Sequence, residues 1–212
     1  GFSVNPGAGF NIKGNIAMGY RNPSFRELYL YRMANPDLQP EKMMNYELSV
    51  SKSFSRLLAI ELTAYYSKGS DMIETVDFKN LNTGRFINKG IEVSLQSNPL
   101  DNLRLYTFYS YLHTSLDALT GAPKNQYFLG ADWKPWKWLE VSADLKGVGG
   151  LYVAPGVPEQ NYALLNLKVS WEVWRHLSLF TRLENITDAR CTLNRGYEMP
   201  GFTAMGGFKL DF

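Results

Sequence analysis

The sequence predicts an all-β protein, an antiparallel up-and-down transmembrane β-barrel, and three observations carry that prediction. Segment after segment alternates apolar and polar residues with a period of two, the side-chain period of a strand. The connections between segments are short and long by turns, as in outer-membrane barrels with tight periplasmic turns and longer extracellular loops. Tryptophan and tyrosine gather at segment ends, at two heights, where a membrane has its interfaces.

The last stretch shows the alternation most plainly. Phe202, Ala204, Gly206, Phe208, Leu210 and Phe212 share one side of an extended strand, and Thr203, Met205, Gly207, Lys209 and Asp211 share the other. One face suits hydrocarbon and the other a wet lumen. From the start of the chain, Ala8, Phe10 and Ile12 alternate with Gly7, Gly9 and Asn11, and Ile16, Met18 and Tyr20 alternate with Asn15, Ala17, Gly19 and Arg21. Lys13-Gly14 between them is expected to be a tight turn. Tyr46, Leu48 and Val50 form the next apolar face, then Leu58, Ile60, Leu62, Ala64 and Tyr66, then Ile91, Val93 and Leu95. Leu103, Leu105, Thr107, Tyr109 and Tyr111 follow, with Pro99 in the preceding turn. Tyr127, Leu129, Ala131 and Trp133 pair with Leu139, Val141, Ala143 and Leu145; Leu165, Leu167, Val169 and Trp171 alternate with Asn166, Lys168, Ser170 and Glu172, and Leu177, Leu179 and Leu183 with Ser178, Arg182 and Glu184. The pattern gives about eleven strands, most of about nine to eleven residues, the length a tilted strand needs to cross a bilayer.

Short turns are expected near Lys13, Phe54, Asn98, Pro135 and Trp174, and long connections at Pro23 to Glu41, Thr75 to Thr83, Thr114 to Lys124, Tyr152 to Gln160 and Thr187 to Pro200. Trp133, Trp136, Trp138, Trp171 and Trp174 cluster at two of the short turns. Tyr20, Tyr46, Tyr66, Tyr111 and Tyr127 lie towards the long-loop ends. A soluble sandwich would instead place Leu165, Leu167 and Val169 under a second layer of the same molecule, with tryptophans inside it.

Composition removes other classes. Among 212 residues the net charge is +2 and no long run of Lys or Arg occurs, so no nucleic acid is expected as partner. Mean hydropathy is slightly negative, and no apolar run reaches the length of a membrane helix. Cys191 is alone, so neither an internal disulfide nor a thiolate zinc cluster is available. The chain begins at Gly1 and is expected to be a mature or excised piece of something longer.

Five motifs occur in order: Arg21-Asn22-Pro23-Ser24-Phe25-Arg26-Glu27-Leu28-Tyr29; Asn35-Pro36-Asp37-Leu38-Gln39-Pro40-Glu41 with Tyr46-Glu47-Leu48; Asn88-Lys89-Gly90-Ile91-Glu92; Leu183-Glu184-Asn185-Ile186-Thr187-Asp188; and Gly196-Tyr197 with Pro200-Gly201-Phe202. Together they resemble the C-terminal half of the barrel of TonB-dependent outer-membrane receptors, over essentially the whole of residues 1–212. Cys191 departs from the pattern, where an aromatic or polar residue is expected. The resemblance implies that the chain supplies about 11 C-terminal strands of a 22-stranded barrel in the bacterial outer membrane, without its N-terminal plug domain and first half of the barrel. It implies uptake of a scarce, bulky ligand such as a ferric siderophore, haem or cobalamin. Implied partners are the plug and missing strands, the TonB-ExbB-ExbD system acting through the absent N-terminal region, the lipid bilayer, and the barrel-assembly machinery reading Phe208, Leu210 and Phe212. A passive porin, a barrel phospholipase and a soluble β domain are the rivals.

For binding, the long loops offer Tyr29, Tyr31, Arg32, Tyr152, Arg195 and Tyr197, groups suited to stacking on a macrocycle or meeting an anionic chelate. For catalysis, His113 and Ser115 with Asn125 would have to lie within hydrogen-bond reach of one another. A polar strand end is the simpler account, so no enzyme activity is expected. No resident cofactor or metal is expected either, since His113 and His176 fall at opposite ends of the wall. The polar faces carry Glu47, Glu61, Glu92, Arg104, Glu140, Lys146, Lys168, Arg182 and Glu184, mixed in sign, as a lumen that holds a plug would.

Overall fold

A computed structural model describes residues 1–55, 57–116, 119–154, 156–194 and 196–210. Eleven strands form one antiparallel sheet in which, with one exception, each strand pairs with the next in sequence. They are β1 (Phe2–Gly7), β2 (Phe10–Arg21), β3 (Glu41–Ser55), β4 (Leu58–Val76), β5 (Lys79–Leu100), β6 (Leu103–Thr114), β7 (Asn125–Trp136), β8 (Leu139–Leu151), β9 (Gln160–Trp174), β10 (Leu177–Glu184) and β13 (Thr203–Leu210). The exception is a small hairpin, β11 (Thr192–Asn194) with β12 (Tyr197–Glu198), set into the connection between β10 and β13. A single-turn helix, α1 (Phe25–Tyr29), lies in the connection between β2 and β3. The sheet is up-and-down and open, with β1 and β13 at its edges.

The register places the alternating residues as the sequence requires. Leu62, Val93 and Tyr109 line up across β4, β5 and β6 on the apolar face, as do Leu129, Leu145 and Leu165 across β7, β8 and β9. Glu61 and Ser94, Arg104 and Asp132, and Lys168 and Arg182 line up on the polar face. Among the described residues no second layer covers either face. The buried apolar side chains among the described residues are Leu38, Val148, Leu151, Ala154 and Cys191. All five sit at the long-loop end, and mid-strand Ile16, Leu48 and Leu129 are 65%, 50% and 48% exposed. A wall whose oily residues point away from any protein core is stable only against lipid. Trp136 and Trp138 stack at 5.1 Å, Trp138 meets Trp171 at 6.3 Å, and the three form a ledge at the short-turn end.

Three expectations are corrected. Lys13-Gly14 is not a turn but the middle of β2, pairing with Ser49 and Leu48. The turn is Gly7-Ala8-Gly9, all three at positive φ, and it admits the unforeseen strand β1. Gly14 is glycine for a different reason, since the Phe2 ring lies over it where a Cβ would project. Thr75 to Thr83 is not an irregular loop. β4 and β5 stay paired out to Val76 and Lys79, joined by Asp77 and Phe78 at φ 48° and 62°, a two-residue turn whose twist matches the strands. Finally, most strands are longer than the nine to eleven residues a crossing needs: β4 and β5 have 19 and 22. Pairing continues beyond the bilayer because ladder hydrogen bonds need no hydrocarbon.

Candidate functional site

The long-loop end is built around a cluster of ion pairs. Arg21, closing β2, donates from Nε and Nη2 to Glu41 at 2.5 and 2.7 Å, and from both Nη atoms to Glu27 of α1 at 3.0 and 3.1 Å. Glu41 is buried and also accepts the Ile73 N–H at 2.9 Å. Ser24 caps α1: its hydroxyl accepts the Glu27 N–H, and Glu27 returns to the Ser24 N–H, which satisfies orphan amides at the start of so short a helix. Arg21 and the Ser24 hydroxyl together hold the Glu27 carboxyl down at about 2. The segment 33–39 is then sewn to the β4–β5 hairpin. Asn35 Nδ2 donates to the Asn80 carbonyl at 2.8 Å, Asn80 N–H to the Met33 carbonyl at 2.9 Å, and Asn82 exchanges bonds with the Gln39 backbone at 2.8 and 2.9 Å.

The ligand-binding candidates fall into three groups on separate loops. Tyr29 ends α1, packs on Phe25 at 5.2 Å and stays 57% exposed. Tyr31 follows at φ 71°, 69% exposed with the Arg26 guanidinium 4.8 Å from its ring, and Arg32 is exposed beside it. Tyr152 lies where the loops 115–124 and 152–159 meet, bridged to Thr120, with Lys124 5.3 Å from its ring. Lys124 also pairs with Glu159 at 3.1 Å, which raises its pKa. Tyr197 stands 75% exposed on the β11–β12 hairpin, and Arg195 lies outside the described residues. The structure therefore unites Tyr29, Tyr31 and Arg32, and keeps Tyr152 and Tyr197 on loops of their own.

The loop between β10 and β13 has its own keystone, which sequence reasoning quoted within a motif without assigning it a task. Asn185, buried and at φ 49°, donates to the Ala189 and Pro200 carbonyls at 3.0 and 3.1 Å and accepts the Ala189 N–H at 2.9 Å. Thr187 Oγ1 bonds Asn185 and the Ala163 carbonyl, and Asp188 accepts the Phe202 N–H at 2.9 Å. Cys191 is enclosed by this fold of chain, and its thiol pKa is pushed up by burial. A small apolar side chain fits there, which accounts for the departure from the expected residue.

The other candidates separate. Ser115 Oγ accepts the Ile87 N–H at 2.8 Å and Asn125 accepts the Tyr109 hydroxyl at 2.9 Å, so neither is committed to His113. His113 lies at the long-loop end of β6 and His176 in the opposite turn between β9 and β10. Phe208 and Leu210 are exposed on the apolar face of β13, while Phe212 lies outside the described residues. On the polar face the mixed charges partly pair, Lys134 with Glu140 at 3.1 Å and Arg182 with Glu184 at 2.7 Å, and Tyr106 stacks on Phe128 at 5.7 Å.

A family model described as "TonB dependent receptor-like, beta-barrel" matches residues 1–186. The vitamin B12 transporter BtuB of Photobacterium profundum is 26% identical over 194 residues, covering 84% of this chain and 31% of the transporter. The iron-regulated outer membrane virulence protein of Vibrio cholerae is 36% identical over 78 residues, 32% of this chain and 12% of that protein. Among solved structures, the ferric-catecholate import receptor Fiu of E. coli superposes with a TM-score of 0.79 at 16% identity over 99% of this chain and 34% of its own. The siderophore receptor PirA of Acinetobacter baumannii gives 0.79 at 17%, over 99% and 40%. At such identities the structures establish a shared fold, and the chain spans about a third of the relatives' length. BtuB, Fiu and PirA are named as a transporter and two receptors, not enzymes, and with the family model spanning most of its length the chain belongs to the TonB-dependent receptors of the bacterial outer membrane, as a stretch of their β-barrel wall.

Proposed function

We propose that residues 1–212 are the C-terminal part of the barrel of a receptor that imports a scarce, bulky ligand of the ferric siderophore, haem or cobalamin kind. The observation that carries this is the Arg21–Glu27–Glu41 cluster, which anchors α1 at the long-loop end together with exposed Tyr29, Tyr31 and Arg32. Rings that stack and a guanidinium that pairs with anionic oxygens suit a large, flat or anionic ligand. The transport named for the B12 transporter and the ferric-catecholate receptor agrees with that choice of class. In this proposal a plug domain packs on the polar face, the remaining strands close the sheet at β1 and β13, and TonB-ExbB-ExbD drives release through the plug. Tyr152, Arg195 and Tyr197 complete the ligand's surroundings from the other loops. Phe208 and Leu210, with Phe212, serve as the segment read by the barrel-assembly machinery.

The test is growth of a strain lacking the gene on single iron or cobalamin sources, complemented by the full-length receptor or by its Tyr31→Ala/Arg32→Ala variant. Growth on one source should depend on the gene and need at least about tenfold more ligand with the variant, the loss of roughly one charge-assisted contact. Growth independent of the gene on every source would overturn the proposal.

A further inference from the structure

A wall turned to a wet lumen has no reason to gather aromatic rings, and a contiguous apolar patch on such a surface marks a contact. On the polar face Tyr106 and Phe108 of β6 stand beside Phe128 of β7, which lies opposite Phe108 in the register. The Tyr106 and Phe128 rings stack at 5.7 Å, and Tyr106 lies over Gly130, where a Cβ would meet its ring carbons. Together the three rings form a half-buried ridge. Beside it the wall is hollow. Ser53 of β3, Ala59 of β4 and Ser94 of β5, small side chains on the same face, leave about 440 Å³ bordered by Glu61 and the rings. Ser53 and Ala59 pair next to the short turn between β3 and β4, so the hollow lies at the opposite end of the wall from Tyr29, Tyr31 and Arg32.

The charges around the ridge say what kind of surface fits it. Asp132 accepts from the Ser142 hydroxyl and Asp144 from the Asn166 amide, each at 2.8 Å, and both donors are neutral. Arg104 stands opposite Asp132 in the register, yet its guanidinium lies 5.3 Å from the centre of the Tyr106 ring and makes no ion pair with that carboxylate. Glu61 is exposed, and neither it nor Asp132 nor Asp144 forms an ion pair among the described residues. Lys146, opposite Phe128, bounds the ridge on the β8 side. An apolar surface with basic flanks is the complement of this arrangement. Once the remaining strands close the sheet, lipid and neighbouring barrels meet the other face, so the cover comes from within the lumen. A ligand passing through is a transient occupant, whereas a standing apolar surface calls for a standing cover.

We propose that the ridge and hollow seat an apolar side chain of the plug, carried on a segment whose basic residues meet Glu61 on one side and Asp144 on the other. This seat rests on the proposed receptor, whose lumen holds a plug, and it fixes where on the wall the plug's contact is dry. An aromatic pocket that excludes water at one point of an otherwise polar interface holds the plug more firmly than the mixed charges around it.

The test uses the full-length receptor in non-ionic detergent, with a photo-crosslinking residue introduced as Phe108→p-benzoylphenylalanine or, facing lipid, as Tyr109→p-benzoylphenylalanine. On irradiation position 108 should join a plug peptide that bears an apolar residue with Lys or Arg within three positions, and position 109 should join none. Adducts confined to the barrel, or equal plug adducts from both positions, would overturn the proposal. In parallel, Phe108→Ser/Phe128→Ser should let an external protease digest the plug at least about thirtyfold faster, the loss expected for an aromatic hot spot. Phe108→Leu/Phe128→Leu, which stays apolar, should remain close to the wild type. Digestion of all three at one rate would overturn the proposal, and a fall in uptake with the plug still protected would do so in favour of a site for the passing ligand. Should the serine variant fail to assemble, the crosslink decides. An unaltered plug in a serine variant that still supports gene-dependent growth strikes the seat alone, whereas a full-length gene without a plug strikes the receptor reading itself.

Discussion

At the scale of single residues, Glu27 shows how one carboxylate can hold a binding surface in place. It takes two hydrogen bonds from Arg21 and caps the Ser24 amide of a helix only five residues long. A helix of that length has no intrinsic stability, so its geometry depends on the cap and the ion pair. The Glu27 carboxyl titrates at about 2 when folded, against an ordinary value near 4.5. A depressed folded pKa contributes stability that is complete above the unfolded value and is lost as pH falls through the folded one. Pepsin cleavage of the full-length receptor next to Phe25 or Leu28 should therefore increase as pH is lowered from about 4.5 to about 2, beyond the enzyme's own pH dependence on an unstructured peptide of the same sequence. Glu27→Gln should already be cleaved faster at pH 4.5, and identical rates for variant and wild type would show that the ion pair does not order α1. Another single-residue device recurs along the strands. Gly130 and Gly147 lie under the rings of Tyr106 and Tyr127 on neighbouring strands, where a Cβ would collide with the aromatic carbons. These glycines let a ring lie flat across the ladder and cover the backbone they leave bare.

At the scale of elements, the long connections are organised by side-chain amides rather than by cores. The Asn185 side chain makes four hydrogen bonds from a buried position and, together with Asp188 accepting the Phe202 N–H, ties residues 185–189 to residues 200–202. Asn185→Ala should leave the Ala189 and Pro200 carbonyls unmatched at a cost of about 1–3 kcal/mol. The expected readout is faster tryptic cleavage after exposed Arg190, with the barrel's heat-modifiable gel mobility unchanged; cleavage at the wild-type rate would mean the loop is held elsewhere. The alternation of β3 to β10 was legible in the sequence because period two is imposed by the pleat wherever one face meets oil and the other water. It misled at Lys13-Gly14, where a lysine on the polar face and a glycine under Phe2 imitate a turn. It was silent at Thr75 to Val76 and Lys79 to Thr83, because outside the bilayer no apolar face is required and a strand loses its signature. The candidate site was legible as a set of residue types and not as a geometry. Tyr29, Tyr31 and Arg32 come together because Arg21, held by Glu41 across β2 and β3, also donates to Glu27 of α1, a relation that spans 20 residues of sequence between Arg21 and Glu41.

At the scale of the whole molecule, the wall sorts its charges by face. Carboxylates, cations and amides of both signs lie on the polar side, where Arg182 pairs with Glu184 and Asn166 with Asp144. Such a surface is too well mixed for a one-sign pore, and its tolerance of partners depends on which groups are already engaged. Lys168 is exposed on this face beside Arg182, and it forms no ion pair among the described residues, so it remains available to a domain filling the lumen. Reversing it with Lys168→Glu would set a carboxylate where the proposed plug would meet an ammonium, and the new charge would be drawn to Arg182 across the strands. Both effects weaken docking, the first by repelling the plug's acidic groups and the second by competing for the neighbouring cation. In the full-length receptor the plug should then be digested by an external protease roughly tenfold faster, a change of about 1.4 kcal/mol, while the barrel resists as before. Lys168→Gln should fall between the two, because it removes the attraction without adding repulsion. A plug equally protected in all three proteins would show that the polar face of β9 and β10 does not carry it.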